Sequence, residues 1–149
     1  MPRATDNSDE RLPFATVDVA REARTGFPEV VLGQGKSAAE VAGVLEVLRS
    51  RGQVGLATRV SAEQGGAVVA LLGGDARYDA RSRTVVVGEP APGVGLVGVV
   101  SAGTSDGAVV AEVEVVARVL GNEVQSFVDA GVAGVHRVLA RVDELRRCN

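Results

Sequence analysis

The feature that most constrains this chain is the succession over residues 94–107. A continuous apolar run, Val94 to Val100, is followed by the small-residue turn Ala102-Gly103-Thr104-Ser105-Asp106-Gly107 and then by an amphipathic stretch. An unbroken apolar run reads as a strand buried on both faces, the habit of parallel sheets. A strand that feeds a helix through such a turn is a natural phosphate cradle, because the helix start offers unpaired N–H groups and positive dipole charge. Gly103 lets a ligand approach the backbone, and Ser105 and Asp106 carry oxygens suited to ribose or phosphate. The plain alternative is that Ser105 or Asp106 only caps the helix.

The pattern around this turn predicts strand 94–101, helix 106–120, strand 123–128 and helix 134–147. Val109, Val113, Val116 and Leu120 form the expected apolar face of the first helix, and Val135, Val138, Leu139, Val142 and Leu145 that of the second. Such alternation predicts an α/β fold with a parallel, flavodoxin-like βαβα arrangement. Two strands and two helices cannot cover both faces of an open parallel sheet. Residues 94–149 are therefore expected to be the first part of a larger unit, completed by further chain or by a partner.

The first part of the chain predicts a smaller α/β unit. Residues 1–13 are polar and read as a disordered tail, and Thr16 to Thr25 as a short amphipathic helix. Strands are expected at Glu29–Leu32, Val54–Thr58 and Val85–Val87. Ser37 with Glu40, and Ser61 with Gln64, have capping-box spacing and open two helices. The first carries Val41, Val44, Leu45 and Leu48 on one face, and the second, running to Leu72, is weakened by Gly65 and Gly66. Glu89-Pro90-Ala91-Pro92-Gly93 reads as a linker. The expected organisation is a tail at 1–13, an α/β domain at 14–88 and a second domain over 94–149.

Composition removes several function classes. A net charge of −3 without a basic cluster argues against nucleic acid, and three Phe, one Tyr and no Trp leave little for base stacking. The apolar runs are too short and glycine-rich to span a bilayer, and residues 1–13 do not resemble a signal peptide. A single cysteine, Cys148, excludes an intrachain disulfide and fits a reducing compartment. These features predict a soluble cytoplasmic protein.

Familiar motifs fail on inspection. Gly35-Lys36-Ser37 resembles the end of a P-loop, but that motif's first glycine falls on Val30. Gly93, Gly95 and Gly98 precede and enter a strand instead of leaving one, and Arg118 stands where a dinucleotide fold needs an acid. His136 and Cys148 have no ligand partners at metal-binding spacing, so no metal site is expected. Cys148 is given no chemistry.

His136, the single histidine, lies at the start of the last helix, after Gly131-Val132-Ala133-Gly134. A neutral imidazole there suits proton transfer, against the plainer reading of a surface histidine. The turns after the two strands of a βαβ unit lie at one edge of the sheet. Thr104–Asp106 and His136–Arg137 are therefore expected to face one crevice.

These paired loops resemble the PurE-type carboxylases, whose Gly-Ser-x-Ser-Asp and Ser-Ala-His-Arg segments are matched by Gly103-Thr104-Ser105-Asp106 and Gly134-Val135-His136-Arg137. The upstream segments Gly26-Phe27-Pro28-Glu29-Val30-Val31, Gly33-Gln34-Gly35-Lys36-Ser37 and Thr58-Arg59-Val60-Ser61 resemble the PurE-related LarB family of nickel-pincer cofactor synthesis. So do Thr104-Ser105-Asp106 and the run Asp129 to Arg137. Ser101 stands where the LarB pattern commonly has Thr.

The resemblance implies carboxylation of the pyridinium ring of nicotinic acid adenine dinucleotide, with CO2 or bicarbonate as co-substrate and no bound cofactor. Phosphoanhydride cleavage then releases AMP. Gly103, Thr104, Ser105 and Asp106 would hold phosphate and ribose, His136 would handle the proton, and Arg137 would supply positive charge. In the family the chain continues into a further strand, a glycine-rich loop and a later cysteine nucleophile. This 149-residue chain is therefore expected to be inactive by itself. Homo-oligomers are also implied. An aminoimidazole ribonucleotide carboxylase of purine synthesis and a non-catalytic nucleotide-binding or assembly module are the alternatives. Lys36 is the only lysine and precedes a helix N-cap, where the dipole disfavours an ammonium. Lys36 and Arg59 are accordingly expected to contact the dinucleotide or to help dock the two halves.

Overall fold

A computed structural model describes residues 9–90 and 92–149. The chain divides between Glu89 and Pro90 into two compact units.

In the first unit, strands β1 (Glu10–Arg11) and β2 (Thr16–Val17) form an antiparallel pair, closed by a bond from Leu12 N–H to the Ala15 carbonyl. This corrects two expectations. Residues 9–13 are not a tail (residues 1–8 lie outside the described residues), and the proposed helix over Thr16–Thr25 shrinks to α1, Arg21–Thr25. Val17 and Ala20 are both buried, but from a strand and a turn. Their spacing imitates a helical stripe without sharing a helix.

Strand β3 (Val30–Leu32) leads into α2 (Ala38–Ser50), and β4 (Gly55–Thr58) into α3 (Ala62–Leu72). Both capping boxes form: the Ser37 and Ser61 hydroxyls accept from the N–H groups of Glu40 and Gln64, whose side chains accept from the cap residues' N–H groups. Two further strands, β5 (Arg77–Asp79) and β6 (Thr84–Val87), complete a sheet ordered β3-β4-β6-β5. β3 and β4 are parallel, while β6 runs antiparallel to both neighbours. β5 was not expected, because three residues with exposed charged ends carry no signal apart from their partner. Val41, Val44, Leu45 and Leu48 are buried as their spacing predicted, in a core with Val31, Ala57, Val68, Val85 and Val87.

The second unit pairs β7 (Leu96–Val100) with β8 (Glu123–Phe127) in parallel, Leu96 opposite Glu123 and Val100 opposite Phe127. The crossover is a 3-10 turn, Thr104–Asp106, continuing into α4 (Gly107–Val119). The fold is thus α/β, with parallel strand pairs in both units.

The faces of the later helices differ from expectation. On α4 the buried residues are Val110, Ala111, Ala117 and Val119, whereas Val109 and Val113 are exposed. Valine and alanine surround this helix, so its own pattern does not select the packed side. The helix expected over 134–147 is broken into a 3-10 turn at Val132–Gly134, α5 (Val135–Leu139) and α6 (Val142–Leu145), with Val135 and Leu139 exposed. At the break Arg141 N–H bonds the Val138 carbonyl, the tighter 3-10 spacing, and the Arg141 guanidinium lies 5.3 Å from the centre of the Phe127 ring. That anchor holds the chain where an unbroken helix would move on.

Candidate functional site

Because β7 and β8 are parallel, the segments leaving them emerge at the same edge. Ala130 N–H donates to the Ser101 carbonyl at 2.9 Å and ties the two loops together. Gly131 completes the fit, since a Cβ there would stand 3.1 Å from the Ala102 carbonyl oxygen. Between the loops lies a cleft of about 470 Å³ lined by Ala102, Gly103, Ser105, Asp106, Gly131, Ala133, Gly134, His136 and Arg137. The structure therefore brings six of the predicted residues to one loop cluster. Thr104 belongs to that loop and is exposed, but it does not line the cleft.

Two members hold partners that sequence reasoning did not anticipate. Asp106 does not cap α4 with its side chain. Its Oδ2 accepts from the N–H groups of Ala102 and Gly103, both at 3.0 Å. The carboxylate thereby fixes the turn and takes up two N–H groups that a phosphate would otherwise use. Arg137 donates to Asp129 Oδ1 at 2.8 Å, and Asp129 has a left-handed backbone, φ 57°. A ligand reaching Arg137 must share or displace that carboxylate. Asp129 lay within the resembling segment but carried no predicted role, since only the folded loop turns it toward Arg137. His136 is exposed at the second residue of α5.

The Ser101 hydroxyl, at the end of β7, is buried without a hydrogen-bond partner. A second cleft, about 270 Å³, runs past Ser101 along Val99, Val100, Asp106, Val109 and Val113.

Lys36 and Arg59 lie in the first unit, at the edge where β3 and β4 end. The Lys36 ammonium donates to the Leu32 carbonyl at 3.0 Å. The end of β3 thus offers it a partner, so its position before a helix does not by itself require an anion. Lys36 lines a cleft of about 300 Å³ with Ala38, Ser61, Glu63, Gln64 and Ala67. Gln64 closes the base of that region, donating to the Gly33 and Lys36 carbonyls at 2.9 and 2.7 Å. Arg59 is exposed, with φ 55°.

Among the described residues no group of three or more His, Cys, Asp or Glu could hold a metal ion, and no helix is long and apolar enough to cross a membrane.

Parallel strands, a crossover helix and a cleft outside the strands' carboxyl ends give the second unit an open α/β arrangement. Residues 9–89 match the LarB/PurE-like N-terminal domain, and the chain belongs to that LarB/PurE-related family. It is also similar to an uncharacterized protein of Methanocaldococcus jannaschii, 31% identical over 137 residues, covering 87% of this chain and 52% of the relative. The chain spans about half the length of that curated relative.

Proposed function

We propose that this chain supplies the nucleotide-binding half of a LarB-like carboxylase and hydrolase acting on nicotinic acid adenine dinucleotide. The observation that carries this reading is the cleft shared by the 102–106 loop and the 131–137 loop, with His136 and Arg137 on one wall. The N–H groups at the start of the 3-10 turn that Asp106 does not engage, and the Ser105 hydroxyl, donate to phosphate or ribose oxygens, while Asp106 keeps the turn in shape. Arg137 neutralises phosphate or the incoming carboxylate once Asp129 yields it. His136 moves the proton that carboxylation releases from the pyridinium ring. AMP leaves when the phosphoanhydride is cleaved. The protein works as a homo-oligomer in the cytoplasm.

Titration calorimetry with nicotinic acid adenine dinucleotide tests the binding half. Ser105→Ala and Arg137→Ala are each expected to weaken it by about 1–3 kcal/mol, the scale of a lost charge-assisted hydrogen bond. Radiolabelled bicarbonate tests the chemistry. Label entering the dinucleotide in a His136-dependent manner supports the proposal. Label entering only aminoimidazole ribonucleotide would replace it with the purine-pathway carboxylase, and tight binding without labelling or AMP release would leave a non-catalytic module.

A further inference from the structure

Position 134 has no conformational need for glycine. The φ of −122° and ψ of 69° at Gly134 lie outside the left-handed region that side chains avoid. Space is the reason instead. A Cβ there would stand 3.0 Å from Arg137 Nε, 3.2 Å from His136 Cε1 and 3.5 Å from Arg137 Cδ, its three nearest contacts beyond the adjoining residues. Gly131 differs, because the room left by its missing Cβ is taken by the Ala102 backbone and serves the packing of the loops. The room at Gly134 is taken by two side chains of the cleft wall.

Consecutive residues of a helix point about 100° apart and do not face each other. Helical side chains also lean back over the preceding turn, toward the N-terminus. His136 and Arg137 use that lean to converge on the bare Cα of Gly134, the residue before α5. The terminal Nη1 of the same guanidinium donates to Asp129 at 2.8 Å, and Asp129 does not line the cleft. Asp129 thus holds the arginine from outside the cleft, and Gly134 sets where its Nε and the imidazole meet.

We propose that Gly134 is a positioning residue of the His136 cleft. Its bare Cα seats imidazole and guanidinium side by side, so that one ligand meets the proton-handling group and the anion-binding group together. This role rests on the reading of that cleft as the nucleotide site, and it acts only through His136 and Arg137. A methyl group at 134 parts the pair. Both are free ends of exposed side chains, so they move aside at little cost to the fold.

NMR and titration calorimetry test it. His136 is the single histidine, so its ring Cε1–H gives one signal. In the free protein that signal is expected to show a nuclear Overhauser contact to the Gly134 Hα protons. Gly134→Ala is expected to melt no lower than the wild type. It should weaken binding of nicotinic acid adenine dinucleotide by roughly fivefold or more, the scale of coupling between residues in contact. Made in Arg137→Ala or in His136→Ala, the same substitution should cost less than in the wild type, because one of its two partners is gone. Absence of the Overhauser contact overturns the seat. A lower melting temperature with amide shifts spread through β7 and β8 overturns the role by assigning the glycine to the fold. Wild-type binding that Gly134→Ala leaves unchanged, or weakens by the same factor in all three backgrounds, overturns the positioning role and leaves the cleft reading standing. A wild type that does not bind the dinucleotide overturns the cleft reading and the role together.

Discussion

Gly65 and Gly66 are adjacent in α3 and look equivalent in the sequence, yet their surroundings are opposite. A Cβ on Gly65 would collide with Cδ2 of Tyr78 and stand 2.6 Å from its Cγ, whereas one on Gly66 would meet nothing within 4 Å. The absence of a side chain at 65 lets the ring of β5 lie against the helix. At 66 it only costs helix propensity. Gly65→Ala is expected to lower stability by about 1–3 kcal/mol, the range for forcing an extra carbon into a packed site. Gly66→Ala is expected to raise it by about 0.5–1 kcal/mol. Urea denaturation of both variants checks the pair, and two changes of the same sign would contradict the packing of Tyr78. The same contrast marks how far single residues could be read. Helix weakening was legible at both positions, but the contact at Gly65 depends on a strand that begins twelve residues later.

The turn between β5 and β6 is held by one carboxylate. Asp79 Oδ1 accepts from the N–H and the hydroxyl of Ser82, both at 2.7 Å, and the Ser82 hydroxyl meets that of Thr84 at 2.7 Å. The Ser82 hydroxyl and then its N–H stabilise the ionised form and hold the Asp79 carboxyl below its ordinary value. A group whose value is depressed on folding stabilises fully above its unfolded value of about 3.9, and that contribution fades as pH falls through the folded value. The stability advantage of the wild type over Asp79→Ala should therefore be constant from pH 7 to 5 and shrink below pH 4. Melting curves of the two proteins across that range measure it, and an advantage that persists unchanged at pH 2 would show that ionisation plays no part. Elements differed in legibility for a related reason. Both capping boxes were readable because four consecutive residues contain the whole interaction. β1, β2 and β5 were not, being two or three residues long and defined by their partners. The break at Ala140–Arg141 was not legible either, because its anchor, Phe127, lies in another element. At the site, the meeting of the two loops followed from strand direction, whereas the commitments of Asp106 and Arg137 needed the folded turns.

The two units differ in what holds them. The fifteen buried residues of the described core cluster, from Val17 to Val87, all belong to the first unit. The second unit buries Val99, Val110, Ala111, Ala117, Val119, Phe127 and Ala130, of which only Phe127 is both large and fully enclosed. Each fully buried Val, Leu or Phe contributes roughly 1.5–3 kcal/mol, and a two-stranded sheet is at best marginal by itself. Val94, Val100, Val109, Val132, Val135 and Leu139 remain exposed in that unit. Native-state hydrogen exchange should therefore be slowest at amides of α2, β4 and β6, with β7 and β8 exchanging through a lower-energy opening. Ligand binding at the His136 cleft changes the order in a specific way. A ligand that binds only the closed form adds RT ln(1 + [L]/Kd), about 2.7 kcal/mol at a hundredfold excess over Kd. Saturating nicotinic acid adenine dinucleotide should slow exchange in β7 and β8 by about a hundredfold. Amides of α2, β4 and β6 should move far less, because their slowest opening is set by the first unit's own core. Equal protection of both units without ligand would show that they open as one cooperative body, and protection that ligand leaves unchanged in β7 and β8 would remove the cleft as its binding place.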